Sequence, residues 1–229
     1  MFKPARIRTK RDSQEREYAV LVGELDALDK DIAAARAAAR KATSGGFEPH
    51  AHEETHPAPH GEPVRLSDGS RILVRPIERE DRHELELGFR HLGALSRYER
   101  FRGPTERLTP SQLAYFTQVD HDTDEAFVGV DAETGEGVGV ARYVRDRDDP
   151  RQAELACTVI DAWQQRGVGS ILVERLAARA RASGIERFRA RLLVGNRRAR
   201  RLLAHVADEI DESRYGGVVE ITAQLRPLP

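Results

Sequence analysis

Between Glu125 and Asp161 three strand-like runs follow one another almost without pause: "EAFVGVDAE", "GVGVARYVRD" and "AELACTVID". The turns between them contain Thr134-Gly135 and Asp149-Pro150, residues that suit tight reversals. A parallel connection needs a dozen or more residues, so runs this close pair as an antiparallel meander. The spacing then changes. "SILVERLAARARAS" has helical period and is closed by Gly184, and "RFRARLLVGN" is a strand in which Phe188, Ala190, Leu192 and Val194 alternate. "RRARRLLAHVA" is a second helix and "GVVEITAQL" a final strand. Upstream, "SRILVRPI" reads as the first strand and "EREDRHELELGFRHL" as a helix with Leu85, Phe89 and Leu92 on one side. "SRYERFRG" and "TPSQLAYFTQV" read as short helices, the second opened by Thr109 with Pro110 at its first position. A meander joined to strands separated by helices predicts the α/β class: a mixed, mostly antiparallel sheet flanked by helices on both faces.

That pattern occupies residues 64–229. Residues 1–42 read as a basic arm and one long helix, with Asp12 and Glu15 as a capping box and Arg40 and Lys41 at the far end, where they suit the helix dipole. Tyr18, Leu21, Leu25, Leu28, Ile32, Ala35 and Ala39 follow alternating steps of three and four, a short heptad seam. A coiled coil joining two copies into a homodimer is one reading; a helix laid on the body of its own chain is the other. Residues 43–63, "TSGGFEPHAHEETHPAPHGEP", have no apolar period and read as a flexible linker. The four histidines there (His50, His52, His56 and His60) lack preorganised geometry, so no metal is expected.

Composition narrows the partners. Charged residues make up 33% of the chain but the formal net charge is -1, so nothing in the balance demands nucleic acid or an acidic membrane. In the arginine-rich stretch from Arg187 to Arg201 the one aromatic, Phe188, alternates with Ala190, Leu192 and Val194, so no series of aromatics is offered for base stacking, which also argues against nucleic acid. Cys157 is the single cysteine, so no internal disulfide forms and a reducing compartment fits. No run approaches the ~18 apolar residues of a membrane span, and the basic N-terminus leads into no apolar segment. A cytoplasmic protein is expected.

The stretch "WQQRGVGS", Trp163 to Ser170, carries the chemistry. A glycine loop between a strand and a helix binds anions, because the first helical turn leaves N–H groups without partners and the peptide dipoles put roughly +0.5 charge there. A Walker A loop would need a lysine, and Gly167-Val168-Gly169-Ser170 has none. A dinucleotide fingerprint would need glycine where Leu172 stands and an acid about twenty residues on, where Arg189 and Arg191 stand instead. What the loop does match is Gln/Arg-x-x-Gly-x-Gly/Ala. This resembles the acetyl-CoA signature of the GNAT family of N-acetyltransferases, and the order of elements from Leu66 to Leu225 resembles the whole GNAT fold. "RPIEREDRHELELGFRHLGALSRYERF" and "AELACTVIDAWQQRGVGS" are similar to the bacterial protein-lysine acetyltransferase branch. No cyclic-nucleotide-binding segment is read in the chain, so that mode of control is not expected.

The resemblance implies an acetyl-CoA-dependent transfer to an amine, with a protein lysine as leading acceptor. It implies that the loop opened by Gln164 cradles the pyrophosphate through the main chain of Gln165, Arg166, Gly167, Val168, Gly169 and Ser170. The strand before it is expected to splay from its neighbour, with the main chain of Thr158, Val159 and Ile160 pairing with the pantetheine arm. Asn196 matches a position near the cofactor and is equally good as a helix N-cap. A lysine amine near pKa ~10.4 is protonated at neutral pH, so transfer needs a general base. Glu154 matches the family's base; strand alternation places it with Ala156 and Thr158 on one face and Leu155, Cys157 and Val159 on the other. No general acid is assigned: the family's tyrosine on the last helix is absent here, and Tyr215 lies beyond it. The cluster Asp120, His121, Asp122 and Asp124 reads as a polar loop or a face for a cationic substrate. Arg187, Arg189 and Arg191 on one strand face, followed by Arg197, Arg198, Arg200 and Arg201, read as snorkelling strand arginines and a solvated helix face, an adenosine 3′-phosphate site or an acidic partner's surface. Two other functions stay open: a non-catalytic acyl-CoA-binding regulatory module, and an assembly protein in which the coiled coil matters most.

Overall fold

The computed structural model describes residues 60–101 and 106–227. The basic arm, the long helix with its proposed self-pairing and the linker up to residue 59 lie outside the described residues. The elements in chain order are β1 (Glu62–Arg65), β2 (Arg71–Pro76), α1 (Arg82–Arg90), α2 (Ala94–Phe101), α3 (Pro110–Thr117), β3 (Asp124–Asp131), β4 (Gly137–Arg145) and β5 (Gln152–Val159). They continue with α4 (Val168–Ala182), β6 (Arg187–Leu193), α5 (Arg197–Val206), β7 (Ala207–Tyr215) and β8 (Val218–Leu225). Short 3₁₀ turns at Arg79–Asp81 and Asp161–Trp163 precede α1 and the glycine loop. The strands form one sheet in the order β1-β2-β3-β4-β5-β6-β8-β7, antiparallel everywhere except between β5 and β6. The expected mixed, mostly antiparallel sheet is therefore present.

Two strands depart from the sequence reading. "SRILVRPI" is the second strand, not the first: Glu62 and Pro63, assigned above to the linker, belong to β1 and pair with Val74 and Leu73. "ADEIDESRY" was not read as a strand, yet it is β7, and Tyr215 is its last residue before a Gly216-Gly217 turn. β7 lies at the sheet's edge and most of its residues are exposed, with Ala207 buried and Ile210 half-buried. Its apolar alternation is correspondingly thin, and its charges keep an unpaired edge from recruiting another strand.

Helices cover both faces. On one, α4 buries Val168, Leu172, Val173, Leu176, Ala177 and Ala180 against the sheet and against Leu203 and Val206 of α5. On the other, Phe89, Leu92, Leu108, Leu113 and Ile160 form a smaller cluster packed by Leu85, Phe101 and Phe116. Phe101 sits edge-on to Phe89 at 5.4 Å and to Phe116 at 6.3 Å, ring centre to ring centre, a favoured aromatic geometry. α3 starts where expected: Thr109 Oγ1 accepts from the Gln112 N–H, and Gln112 Oε1 accepts from the Thr109 N–H.

The arginines of β6 meet carboxylates. Arg187 pairs with Asp149 at 2.6 Å, Arg189 with Asp146 at 3.3 Å and Arg191 with Glu220 at 2.9 Å. The charge of these three is matched by the turn between β4 and β5 and by β8, which argues against a phosphate site or an acidic partner on the strand itself.

Phe188 and Tyr143 lie fully buried with ring centres 6.0 Å apart, joining β6 to β4 across β5. Phe188→Ala leaves a cavity there, and urea denaturation is expected to show a loss of about 3–5 kcal/mol.

Candidate active site

β5 carries the site, and hydrogen-bond alternation sets which of its groups are free. The Ile160 N–H donates to Val138 O at 3.0 Å and the Asp146 N–H to Gln152 O at 2.9 Å. In an antiparallel ladder this parity turns the main chain of Glu154, Ala156, Thr158 and Ile160 toward β4, and that of Leu155, Cys157 and Val159 the other way. On that other side the pairing with β6 covers only Gln152↔Arg187, Ala153↔Phe188 and Glu154↔Arg189. Beyond Glu154 the two strands part, as expected. The main chain of Cys157 and Val159 faces the gap. Of the three positions expected to pair with a pantetheine arm, Val159 alone turns its main chain there; Thr158 and Ile160 turn theirs to β4. The Val159 carbonyl accepts from Gln164 Nε2 at 3.1 Å.

The glycine loop opens beside the same gap. Its two glycines serve different needs. Gly167 caps α4 with φ +98°, a left-handed conformation that costs a residue with a Cβ roughly 1–2 kcal/mol. Gly169 is inside α4, where an added Cβ would stand 3.3 Å from both terminal methyls of Leu202. It lets α4 and α5 approach. The first helical bond of α4 runs from the Ile171 N–H to Gly167 O, and the N–H groups from Gln165 to Ser170 meet no protein acceptor among the described residues. A row of such groups at the positive end of a 15-residue helix is an anion cradle, and nothing lies within 4 Å of a Cβ built at Gly167.

The side chains around this cradle are largely committed. Gln164 Nε2 also meets Ser96 Oγ at 3.2 Å and Asp161 Oδ1 at 3.1 Å, while its Oε1 accepts from Arg198. Gln164 thus ties α2, the 3₁₀ turn and α5 to the end of β5. Arg166 stacks 4.8 Å over Trp163 and pairs with Asp68 at 3.4 Å. Val168 is core. Asn196 Oδ1 accepts from the Ala199 N–H at 3.0 Å, the N-cap geometry.

The other face of β5 lines a cleft of about 90 Å³ beneath α1, α2 and α3. Ala156, Thr158 and Ile160 form part of its floor, with Val140 and Arg142 of β4, while Leu85, Phe89, Phe101 and Phe116 enclose it. Leu155, Cys157 and Val159 pack into the α4 side, so the alternation read from the sequence holds. Glu154, two residues before Ala156, is exposed and has no hydrogen-bond or ion-pair partner among the described residues.

Two arginines line the cleft that the sequence reading did not single out. Arg142 is 7% exposed and its guanidinium pairs with Asp124, donates to Tyr115 O at 2.6 Å and lies 4.1 Å over the Tyr115 ring. The signal was an arginine alternating with Val138 and Val140 on a strand. Arg100 lies 5.3 Å from the Phe101 ring centre and 5.4 Å from that of Phe116. No anion pairs with it among the described residues. Burial and the neighbouring Arg142 lower its pKa, while Glu154, Tyr115 and Cys157 act against that shift.

The acidic cluster is structural. Asp120 accepts from the N–H groups of Asp122, Thr123 and Asp124 and from Thr123 Oγ1, which together hold its carboxyl well below the usual range. His121 Nδ1 lies 2.7 Å from Glu125 Oε1, and Glu125 also pairs with Arg179 at 3.1 Å. Among the described residues no group of His, Cys, Asp or Glu side chains suits a metal ion.

The fold and this site define an acyltransferase. The chain belongs to the Acetyltransferase (GNAT) family, whose profile matches residues 93–207, and is an N-acetyltransferase. It is 31% identical to an acetyltransferase of Pseudomonas aeruginosa over 125 residues, which are 54% of this chain and 67% of that protein. It is 30% identical to acetyltransferase Pat of Mycolicibacterium smegmatis over 141 residues, covering 62% of this chain and 42% of Pat. The crystal structure of the GNAT domain of S. lividans PAT superposes with a TM-score of 0.65 at 31% identity, covering 74% of this chain and 99% of that domain. The match thus spans less than half the length of the Mycolicibacterium relative. No helix among the described residues is long and apolar enough to cross a membrane.

Two predictions test this geometry. Gly167→Ala meets no steric obstacle, so its cost is conformational: a loss of about 1–2 kcal/mol in urea denaturation. Burial pushes the Cys157 thiol from 9.0 up to about 12. At pH 8 the thiolate fraction falls about a thousandfold, and iodoacetamide is expected to alkylate the native protein about that much more slowly than the urea-unfolded chain.

Proposed function

We propose that the protein transfers an acetyl group from acetyl-CoA to a primary amine, with a protein lysine as leading acceptor and Glu154 as general base. The observation that carries this reading is the parting of β5 from β6 after Glu154, directly beside a helix start whose N–H groups have no protein acceptor. Bound there, acetyl-CoA supplies an acyl group activated as a thioester. The N–H groups from Gln165 to Ser170 hold its pyrophosphate, with Gly167 and Gly169 giving the loop its shape. The main chain of Cys157 and Val159 bonds the amides of the pantetheine arm, and the Gln164 amide moves off the Val159 carbonyl or shares it. Thr158 and Ile160 shape the cleft through their side chains. Asn196 holds the start of α5 beside the loop, and Arg166 adds positive charge near the phosphates. The resemblance of "SRYERF" and its surroundings to the protein-lysine acetyltransferase branch supports the lysine acceptor.

Glu154 stands at the point where the strands separate. Its carboxylate has no partner to give up and is open to solvent, so it can take the amine's proton directly or through one water. The cytoplasm suits a chain whose single cysteine is unpaired.

Glu154→Gln keeps shape and removes the base. Its kcat with a lysine peptide is expected to fall about 10²–10⁴-fold, while the Kd for acetyl-CoA, read by calorimetry, stays within about twofold of wild type. Tight acetyl-CoA binding with no turnover on any amine in the wild type would instead mark a regulatory acyl-CoA-binding module.

A further inference from the structure

The register of Glu154 continues across the strands beyond it. Glu154 lies opposite Arg189 of β6, Arg189 opposite Thr222 of β8, and Thr222 opposite Asp211 of β7. Residues paired across neighbouring strands share a face, so these four form one row. α1, α2 and α3 enclose the cleft on this side over β3, β4 and β5. The helix packed against β6, β8 and β7 is α5, which takes their opposite face through Leu203 and Val206. The side shared with Glu154 is thus an open sheet face running on from the point where β5 and β6 part. Most charge on it is matched: Arg187 meets Asp149, Arg189 meets Asp146 and Arg191 meets Glu220. Two carboxylates of β7 are left over. Asp211 and Glu209 are exposed and have no hydrogen-bond or ion-pair partner among the described residues, whereas Glu212, on the opposite face, pairs with Arg200 at 2.6 Å. A parallel row of Leu193, Val218 and exposed Tyr215 gives the face an apolar border.

We propose that this open face seats the acceptor polypeptide in extended form, with the acceptor lysine at Glu154 and a second basic side chain, four residues along the peptide, at Asp211. The proposal rests on transfer to a protein lysine and names the kind of segment that site selects. Neighbouring strands stand about 4.8 Å apart, so the three steps from Glu154 to Asp211 span ~14 Å. An extended chain rises about 3.4 Å per residue and its side chains four apart point the same way. A peptide crossing the strands therefore covers that distance in four residues. Between the two acids stands Arg189, already matched, so a basic residue nearer the lysine finds no free carboxylate there. An acidic residue at the fourth position would face Asp211 and Glu209 and be repelled. A small amine has no second charge and gains nothing from the face, whereas a polypeptide reaches both ends of the row and the apolar border beside it.

The test uses lysine peptides carrying arginine, glutamine or glutamate four residues before or after the acceptor, in a thiol-release assay. The enzymes are wild type, Asp211→Asn, Asp211→Lys and the double variant Glu209→Gln with Asp211→Asn. Calorimetric titration with acetyl-CoA separates loss of fold from loss of peptide recognition in each. In wild type one of the two arginine peptides is expected to have a KM about two- to fivefold below that of its glutamine counterpart, the scale of an exposed ion pair. The difference sits in KM rather than kcat and closes at high salt. It shrinks in Asp211→Asn and vanishes in the double variant. Asp211→Lys turns the preference over to the glutamate peptide, a reversal that a merely structural role for Asp211 does not produce. Equal KM for all three residues in wild type, or an arginine preference that survives the double variant, would overturn the proposal and leave acetyl transfer standing. Tight acetyl-CoA binding without turnover of any lysine peptide would overturn the lysine acceptor and the proposal together.

Discussion

The parallel pairing of β5 with β6 lasts three residues, and the site exists because it stops there. Up to Glu154 the two strands share a ladder, and Arg189 sits in register with Glu154. Past it, β6 continues its pairing with β8 through Leu193 while β5 stays with β4 through Val159. Main-chain groups of Cys157 and Val159 are then left facing a gap inside a sheet without a strand partner, the Val159 carbonyl meeting only the Gln164 side chain, and polar groups at such a place invite a ligand with amides of its own. The same parting brings the end of β5, the 3₁₀ turn and the start of α4 together, so the positive end of a helix dipole opens on the gap.

Rigid packing holds that opening in shape. α4 lies on the sheet with six buried apolar residues, and Gly169 lets Leu202 of α5 approach closely. Gln164 bridges Val159, Ser96, Asp161 and Arg198. The glutamine that opens the loop motif therefore fastens three elements around the mouth of the gap, while the loop's main chain stays free. A motif residue can be required for the geometry of a site without touching the ligand.

Charge on the cleft side of the sheet is arranged unevenly. The two terminal nitrogens of Arg142 bond the Tyr115 carbonyl and Asp124 in a buried network, while its Nε has no partner among the described residues, and breaking such a pair is costly because the survivor stays buried and unpaired. Asp124 and Asp120 are thereby consumed in building the loop that precedes β3, leaving little of the acidic cluster to meet a substrate. Arg100 stands apart from this network beside the rings of Phe101 and Phe116, with no ion-pair partner among the described residues. Like charge from Arg142 and burial both act on it, and Glu154 is among the groups that oppose them.

Periodicity made most of the fold legible. Phe188 and Ala190 on β6, Leu172 and Leu176 on α4, and Leu85 and Phe89 on α1 are buried or half-buried as their spacing implied. The loop motif, the position of Glu154 and its face of β5 could also be read directly, since each depends on local order along the chain. β1 and β7 were not legible: both lie at edges of the sheet, where only part of one face is covered and apolar alternation fades. Nor could hydrogen-bond parity be read. Whether Thr158 or Val159 turns its main chain toward the gap depends on the register of β5 against β4, and side-chain alternation says nothing about it. Arg100 lies on α2 and Thr158 on β5, and only the folding of α2 over β5 sets both in the lining of one cleft. The sequence by itself determined the elements and the anion-binding loop, because those follow from short-range period and backbone chemistry. The parting of the strands and the setting of an arginine among the aromatic rings of the cleft were decided by the tertiary structure, because both arise from long-range pairing and burial.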